Sequence, residues 1–186
     1  MNGLSHREIP LIRREDSLLV MIDFQERLVP AMAEKEKLVD NVVRLGRFSR
    51  IIGLPVIVTE QQKLGSTLPE IRDSLGNPEP ISKVDFNCFG ADMFSERMRS
   101  DRPNTLIIAG IETHICVLQT ALQGLAEYRV HVVGDAVSSR TLQNRDIALR
   151  RMEKEGVTVT STEMLIYELL QRAGTDEFRE ALKLVK

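Results

Sequence analysis

Tryptophan is absent from this chain of 186 residues, and cysteine occurs only twice. Two cysteines do not make a disulfide framework, so a reducing compartment is expected. No run approaches the ~18 apolar residues that a membrane-spanning helix requires. The opening segment, MNGLSHREIPLIRRED, lacks the apolar stretch of a signal peptide. Neither charge sign dominates: a net charge of −2 gives no electrostatic reason to expect nucleic acid or an anionic membrane as partner. Internal repeats, low-complexity tracts and interdomain linkers are missing too. The expectation is one cytoplasmic domain over residues 1–186, with residues 1–14 as a tail or arm.

Several motifs are also missing. The stretch KLGST is not a phosphate loop, which needs Gly-x-x-x-x-Gly-Lys-Ser/Thr. No G-x-G-x-x-G follows the first apolar run, which removes the dinucleotide reading. Asp23-Phe24-Gln25 lacks the second carboxylate wanted for an aspartyl-phosphate enzyme. The three histidines, His6, His114 and His131, show no metal-ligand spacing.

What is present alternates between two patterns. SLLVMIDF, PVIVTE, ISKVDF, NTLIIAG, RVHVVGDAV and VTVTS are short apolar runs that suit strands buried on both faces. Between them lie helical stretches. KEKLVDNVVRLGRFSRIIG spaces Leu38, Val42, Leu45, Phe48 and Ile52 on one face, and Gly53 closes it. ADMFSERMRS, a segment running to about Tyr128, residues 144–155, TEMLIYELLQRA and DEFREALKLVK read as further helices. QQKLGSTLPEIRDSLGNPEP reads as a long loop with one helical turn. This alternation predicts an α/β fold, a mostly parallel sheet with helices on both faces. In such sheets the chemistry gathers at the carboxyl ends of the strands.

Three reactive side chains stand there. Asp23 ends the first strand, Lys83 lies on the third, and Cys116 follows the fourth in GIETHICV. Taken singly each has a plain explanation: a turn cap, a surface lysine, an inert buried cysteine. Together they make a nucleophile, a base and a cation. An ammonium and a helix start both favour thiolate, and a carboxylate can carry the thiol proton to a leaving group. Backbone N–H groups at the helix start would hold an oxyanion. His114 stands two residues from Cys116 and so faces another direction on a helix. Cys88, in DFNCFG, reads as a loop-packing residue or a pocket lining. Phe24, Gln61, Phe86 and Thr113 flank the strand ends and are candidates for the pocket wall.

VMIDFQERLVP, VTEQ, ISKVDF, GIETHICV and VHVVGDAVSSR, in this order, resemble the isochorismatase-like cysteine hydrolases, relatives of nicotinamidases and N-carbamoylsarcosine amidohydrolases. VTEQ…LGSTLPEI with DAVSSR is most similar to the isochorismatase-domain-containing branch. The resemblance implies a three-layer α/β/α fold with a six-stranded sheet in the order 3-2-1-4-5-6. It implies Asp23, Lys83 and Cys116 as a catalytic triad and a cis peptide bond at Ile111–Glu112. The Glu112 and Cys116 N–H groups would then form the oxyanion hole. It also implies a homo-oligomer. Nicotinamidases carry an Asp and two His after the second strand as metal ligands; here TEQQKLGSTLPEI contains no histidine, so neither metal nor cofactor is expected. The expected activity is hydrolysis of a small amide or ureido compound. Vinyl-ether hydrolysis of the isochorismatase type and a non-catalytic scaffold remain as alternatives.

Overall fold

A computed structural model describes residues 11–185. The apolar runs form strands β1 (Ser17–Ile22), β2 (Val56–Gln61), β3 (Ile81–Lys83), β4 (Thr105–Ile111), β5 (Arg129–Ser138) and β6 (Thr158–Thr160). They pair in one parallel six-stranded sheet ordered β3-β2-β1-β4-β5-β6. Every residue of β1 and β4 is buried, as continuous apolar runs between two helical layers must be.

The helices are α1 (Lys35–Ile52), α2 (Pro69–Ser74), α3 (Asp92–Asp101), α4 (Leu118–Gly124), α5 (Leu142–Glu155), α6 (Thr162–Leu170) and α7 (Asp176–Val185). On one face of the sheet, α1 contributes Leu38, Val42, Leu45, Phe48 and Ile52 to a core shared with Leu165 of α6 and Ala181 of α7. On the other, Phe94 and Met98 of α3, Ala121 of α4 and Met152 of α5 pack against Leu106 and Ile108. These are the three layers. Gly53 ends α1 at φ 66, donating its N–H back to Arg50 and Ser49.

Some boundaries differ from the sequence reading. The segment expected as one helix to Tyr128 begins as a π-helical turn, Thr113–Val117, and ends at Gly124. The loop after β2 holds α2, six residues opened by Pro69. Pairing of β4 with β5 shifts register between Ile108 and Gly110, and the extra length of β5 brings Asp135 to accept from Thr162 N and Oγ1, at 2.7 and 2.9 Å. The segment read as a tail or arm over about 1–14 is described only from residue 11. Ile12 is fully buried and its N–H donates to Glu168 at 2.8 Å. Residues 1–10, His6 among them, lie outside the described residues.

Candidate functional site

The chain runs from β1 outward to β2 and β3, then returns to place β4 on the other side of β1. The strand order therefore reverses at the β1/β4 boundary, the position at which open α/β sheets bind their ligands. Asp23 follows β1 and Cys116 stands in the turn after β4, so both reach this boundary. Lys83, the last residue of β3, reaches it from two strands away.

The three side chains meet. Lys83 Nζ donates to Asp23 Oδ2 at 2.7 Å and lies 3.7 Å from Cys116 Sγ. It also donates to Gln61 Oε1 at 2.7 Å and to the Asp85 carbonyl at 3.3 Å. Asp23 is held at φ 57, a left-handed conformation unusual for a non-glycine residue. Its N–H donates to the Thr59 carbonyl at 3.1 Å, its carbonyl accepts from Gln25 N at 2.7 Å, and its Oδ1 accepts from Thr59 Oγ1 at 2.8 Å. A buried carboxylate with this many donors is fully engaged rather than desolvated and unpaired.

The electrostatics correct one expectation. A helix start and a nearby ammonium lead one to expect thiolate, yet burial first and the charge of Asp23 second push the Cys116 thiol up to about 12, against the opposing pull of Lys83. The resting sulfur is therefore protonated, with Asp23 beside it as hydrogen-bond partner. Burial is the largest single influence and disfavours the Lys83 ammonium, but the charge and hydrogen bond of Asp23 and the neighbouring sulfurs together outweigh it and raise its pKa. The arrangement is thus a thiol, a carboxylate in contact with it, and an ammonium bridging the two. It can transfer the thiol proton to the carboxylate as the sulfur attacks.

The other residues singled out in the sequence are scattered. Gln61 touches Lys83 directly and ties its own Nε2 to the Val84 carbonyl at 2.5 Å. Thr113 is fully buried in the turn that carries Cys116. Phe86 is 53% exposed, at the outer rim beside Val84. Phe24, expected at the pocket wall, is buried instead in the core on the α1 side, because the left-handed turn at Asp23 sends it to the face opposite Cys116. The Ile111–Glu112 peptide bond is cis. Glu112 accepts from Arg140 N at 3.0 Å, and Arg140 Nε lies 3.2 Å from the same carboxylate. His114 Nδ1 lies 2.9 Å from Ser139 Oγ and so pairs away from Cys116. Cys88 is fully buried, its N–H donating to Thr120 Oγ1 at 3.0 Å.

Two contributors escaped the sequence reading. Thr59 looks like any β-branched strand residue. Gln25 carries no motif, yet it is fully buried and fastens the loop after β2: its Nε2 donates to the carbonyls of Gln61 and Gly65 at 2.9 and 2.7 Å, and its Oε1 accepts from Gln61 N at 2.9 Å. Among the described residues no cluster of three or more His, Cys, Asp or Glu is placed to hold a metal ion. None of their helices is long and apolar enough to cross a membrane.

A parallel six-stranded sheet covered on both faces, with its strand order reversing between β1 and β4, defines a three-layer α/β protein. Residues 17–164 match the isochorismatase domain, and the chain belongs to that family, whose members are hydrolases. It is 34% identical to mouse isochorismatase domain-containing protein 2A over 92% of this chain and 84% of that one. Among solved structures it superposes on the MAR1 ribonuclease of Caenorhabditis elegans with a TM-score of 0.87, at 33% identity, covering 94% of this chain and 92% of that one. The Escherichia coli YcaC gene product, described as an octameric hydrolase of unknown specificity, shares the fold at a TM-score of 0.84 and 24% identity, over 94% of this chain and 87% of that one.

Proposed function

We propose that the protein is a metal-free cysteine hydrolase that cleaves the C–N bond of a small amide or ureido compound. The observation that carries this reading is Lys83 Nζ standing 2.7 Å from Asp23 Oδ2 and 3.7 Å from Cys116 Sγ, all three side chains buried. The absence of histidine from the loop after β2 supports chemistry without a metal.

Asp23 takes the Cys116 proton as the sulfur attacks the carbonyl carbon and the C=O electron pair moves to oxygen. The N–H groups of Glu112 and Cys116 hold that oxyanion. Lys83 stabilises the negative sulfur in transit and keeps the carboxylate in place. Asp23 then gives its proton to the departing nitrogen, the C–N bond breaks, and a thioester remains on Cys116. Water attacks the thioester and loses a proton to Asp23. The carboxylic acid leaves, and the sulfur recovers its proton.

We also propose that the working form is a homo-oligomer. Val84, Phe86 and Met93, large apolar side chains near the site, are 67%, 53% and 63% exposed, and the fold relative from E. coli is described as octameric. Light scattering that returned a single-chain mass would overturn this. RNA is not proposed as substrate, because a net charge of −2 supplies no general attraction for phosphates.

The test is a screen of small amides and ureido compounds with intact-mass detection of an acyl group on the enzyme. An adduct on Cys116 that is absent from Cys116→Ala, with turnover lost in both Cys116→Ala and Asp23→Asn, is the expected result. Turnover that survives Cys116→Ala sinks the thioester and favours vinyl-ether chemistry. Partner binding that is unaffected by Cys116→Ala, without any turnover, favours a scaffold.

A further inference from the structure

The carboxylate that receives the thiol proton must keep one face free for sulfur and stay ionised while buried. Its contacts divide unevenly. Oδ2 belongs to Lys83, at 2.7 Å, whereas Oδ1 accepts a single neutral donor, the Thr59 hydroxyl, at 2.8 Å. Thr59 is itself fully buried in β2, in register with Ile22 of β1 and Ile81 of β3. Its carbonyl also accepts the Asp23 N–H at 3.1 Å, so one residue grips both the backbone and the side chain of Asp23.

The direction of the Thr59 proton follows from its neighbours. A hydroxyl has one proton to give and two lone pairs to receive with. Beside it are the carboxylate and the sulfur of Cys88, at 4.0 Å. A charge-assisted bond to a carboxylate is about twice as strong as a neutral one, so the proton goes to Asp23 and the thiol of Cys88 donates to the Thr59 oxygen. Burial keeps that thiol protonated by pushing it up to about 11.

We infer that Thr59 is a positioning residue for the proton shuttle: its hydroxyl holds the Asp23 carboxylate turned toward Cys116. The inference rests on the cysteine-hydrolase reading above. A fixed donor holds a carboxylate in one orientation, and its loss frees the group to turn away from the sulfur. The titratable groups facing Asp23 are Lys83 from β3, Cys88 from the turn after it, and Cys116 from the turn after β4. Of these, Cys88 alone meets the threonine hydroxyl, at 4.0 Å, and burial keeps its thiol protonated with or without that contact.

The experiment measures the rate at which iodoacetamide alkylates Cys116 at one neutral pH, the site being read by mass spectrometry. Wild type, Thr59→Val, Thr59→Ser, Asp23→Asn and the double variant Thr59→Val/Asp23→Asn are compared, each checked for a native far-UV spectrum. Asp23→Asn should slow the reaction, because the base is gone. Thr59→Val, which keeps the shape and deletes the donor, should slow it about tenfold, the worth of one hydrogen bond to a charged group. Thr59→Ser should restore it, and Thr59→Val should add nothing once Asp23 is Asn. A wild-type rate in folded Thr59→Val overturns the positioning role and leaves the shuttle standing. An Asp23→Asn rate equal to wild type overturns both, since Thr59 would then have no base to hold. If Thr59→Val does not fold, Thr59→Ser and Thr59→Ala decide. An unchanged rate in Thr59→Ala overturns the proposal, and a rate that falls in Thr59→Ala but not in Thr59→Ser supports it.

Discussion

Lys83 Nζ and Asp23 Oδ2 form an ion pair of 2.7 Å in which neither side chain is exposed to solvent. Burying two charges is costly, and such a pair adds little net stability compared with apolar residues of the same size. Its retention at a strand-order reversal beside a buried thiol therefore points to chemistry rather than to folding.

Removing one partner should be far worse than removing both. Lys83→Met leaves an uncompensated buried carboxylate and should destabilise the fold by ~3–5 kcal/mol. The double variant Lys83→Met/Asp23→Asn should recover most of that loss. Urea unfolding of both variants checks it; equal losses would mean that the pair is not coupled.

The two thiols tie stability to alkaline pH. Burial raises Cys88 from 9.0 to about 11, and burial with the charge of Asp23 raises Cys116 from 9.0 to about 12. An unfolded chain releases these protons first, so the stabilisation is intact below pH 9.0 and is lost as pH rises from there toward about 11. Lys83 acts in the same sense: burial opposes its charge, Asp23 and the neighbouring sulfurs together prevail, and its contribution is intact below 10.5 and lost above. Each thiol steepens the decline by about 1.4 kcal/mol per pH unit. Cys88→Ala should make the alkaline decline shallower by that amount in denaturant titrations, and an unchanged slope would contradict the assignment.

Gln25 fastens Gln61, the last residue of β2 and an acceptor for Lys83, and the loop that follows it. Gln25→Leu leaves the carbonyls of Gln61 and Gly65 and the N–H of Gln61 without their partner, and should cost roughly 3 kcal/mol. Alkylation of Cys116 should change as well, because Lys83 loses a fixed acceptor. A loss under roughly 0.5 kcal/mol would show that water replaces the side chain.

At Gly110, β4 approaches β1 so closely that an added Cβ would stand 2.5 Å from Ile22 Cβ and 2.8 Å from the Ile22 carbonyl. Ile22 directly precedes Asp23. Gly110→Ala should therefore cost ~1–3 kcal/mol, and displace the carboxylate enough to slow Cys116 alkylation. Thermal melts and labelling together test this; a melting point equal to wild type would mean that the strands separate freely.

His131 works against the fold in acid. Burial first and Arg129 second lower its pKa from 6.5, with Glu168 opposing, and its Nδ1 has no hydrogen-bond partner among the described residues. A lowered value means stability intact above 6.5 and lost as pH falls through the folded value. His131→Leu should flatten that acid-side loss. Parallel declines of variant and wild type in mildly acidic urea titrations would exclude His131 as the cause.

Much of the architecture was legible because it is written in short-range patterns. Six apolar runs separated by helical stretches specify a doubly covered parallel sheet, and the α1 face of Leu38, Val42, Leu45, Phe48 and Ile52 is buried as its spacing requires. The strand order came from family resemblance, since no local pattern encodes which strand lies beside which. Asp23, Lys83 and Cys116 were visible as reactive groups at strand ends. Phe24 was misplaced because nearness to a strand end was taken as access to the pocket, and Asp23, just before it, turns left-handed.

The sequence by itself determined the elements, the layers and the identity of the three groups, because side-chain type and periodicity act within a few residues. Tertiary structure decided their state. Asp23 meets Thr59 across 36 residues and Lys83 across 60, while Lys83 meets Cys116 across 33. Burial among these distant partners, rather than the local helix start, leaves the sulfur protonated beside the carboxylate. Desolvation and charge depend on what the fold brings within a few ångströms, and one-dimensional order does not carry that information.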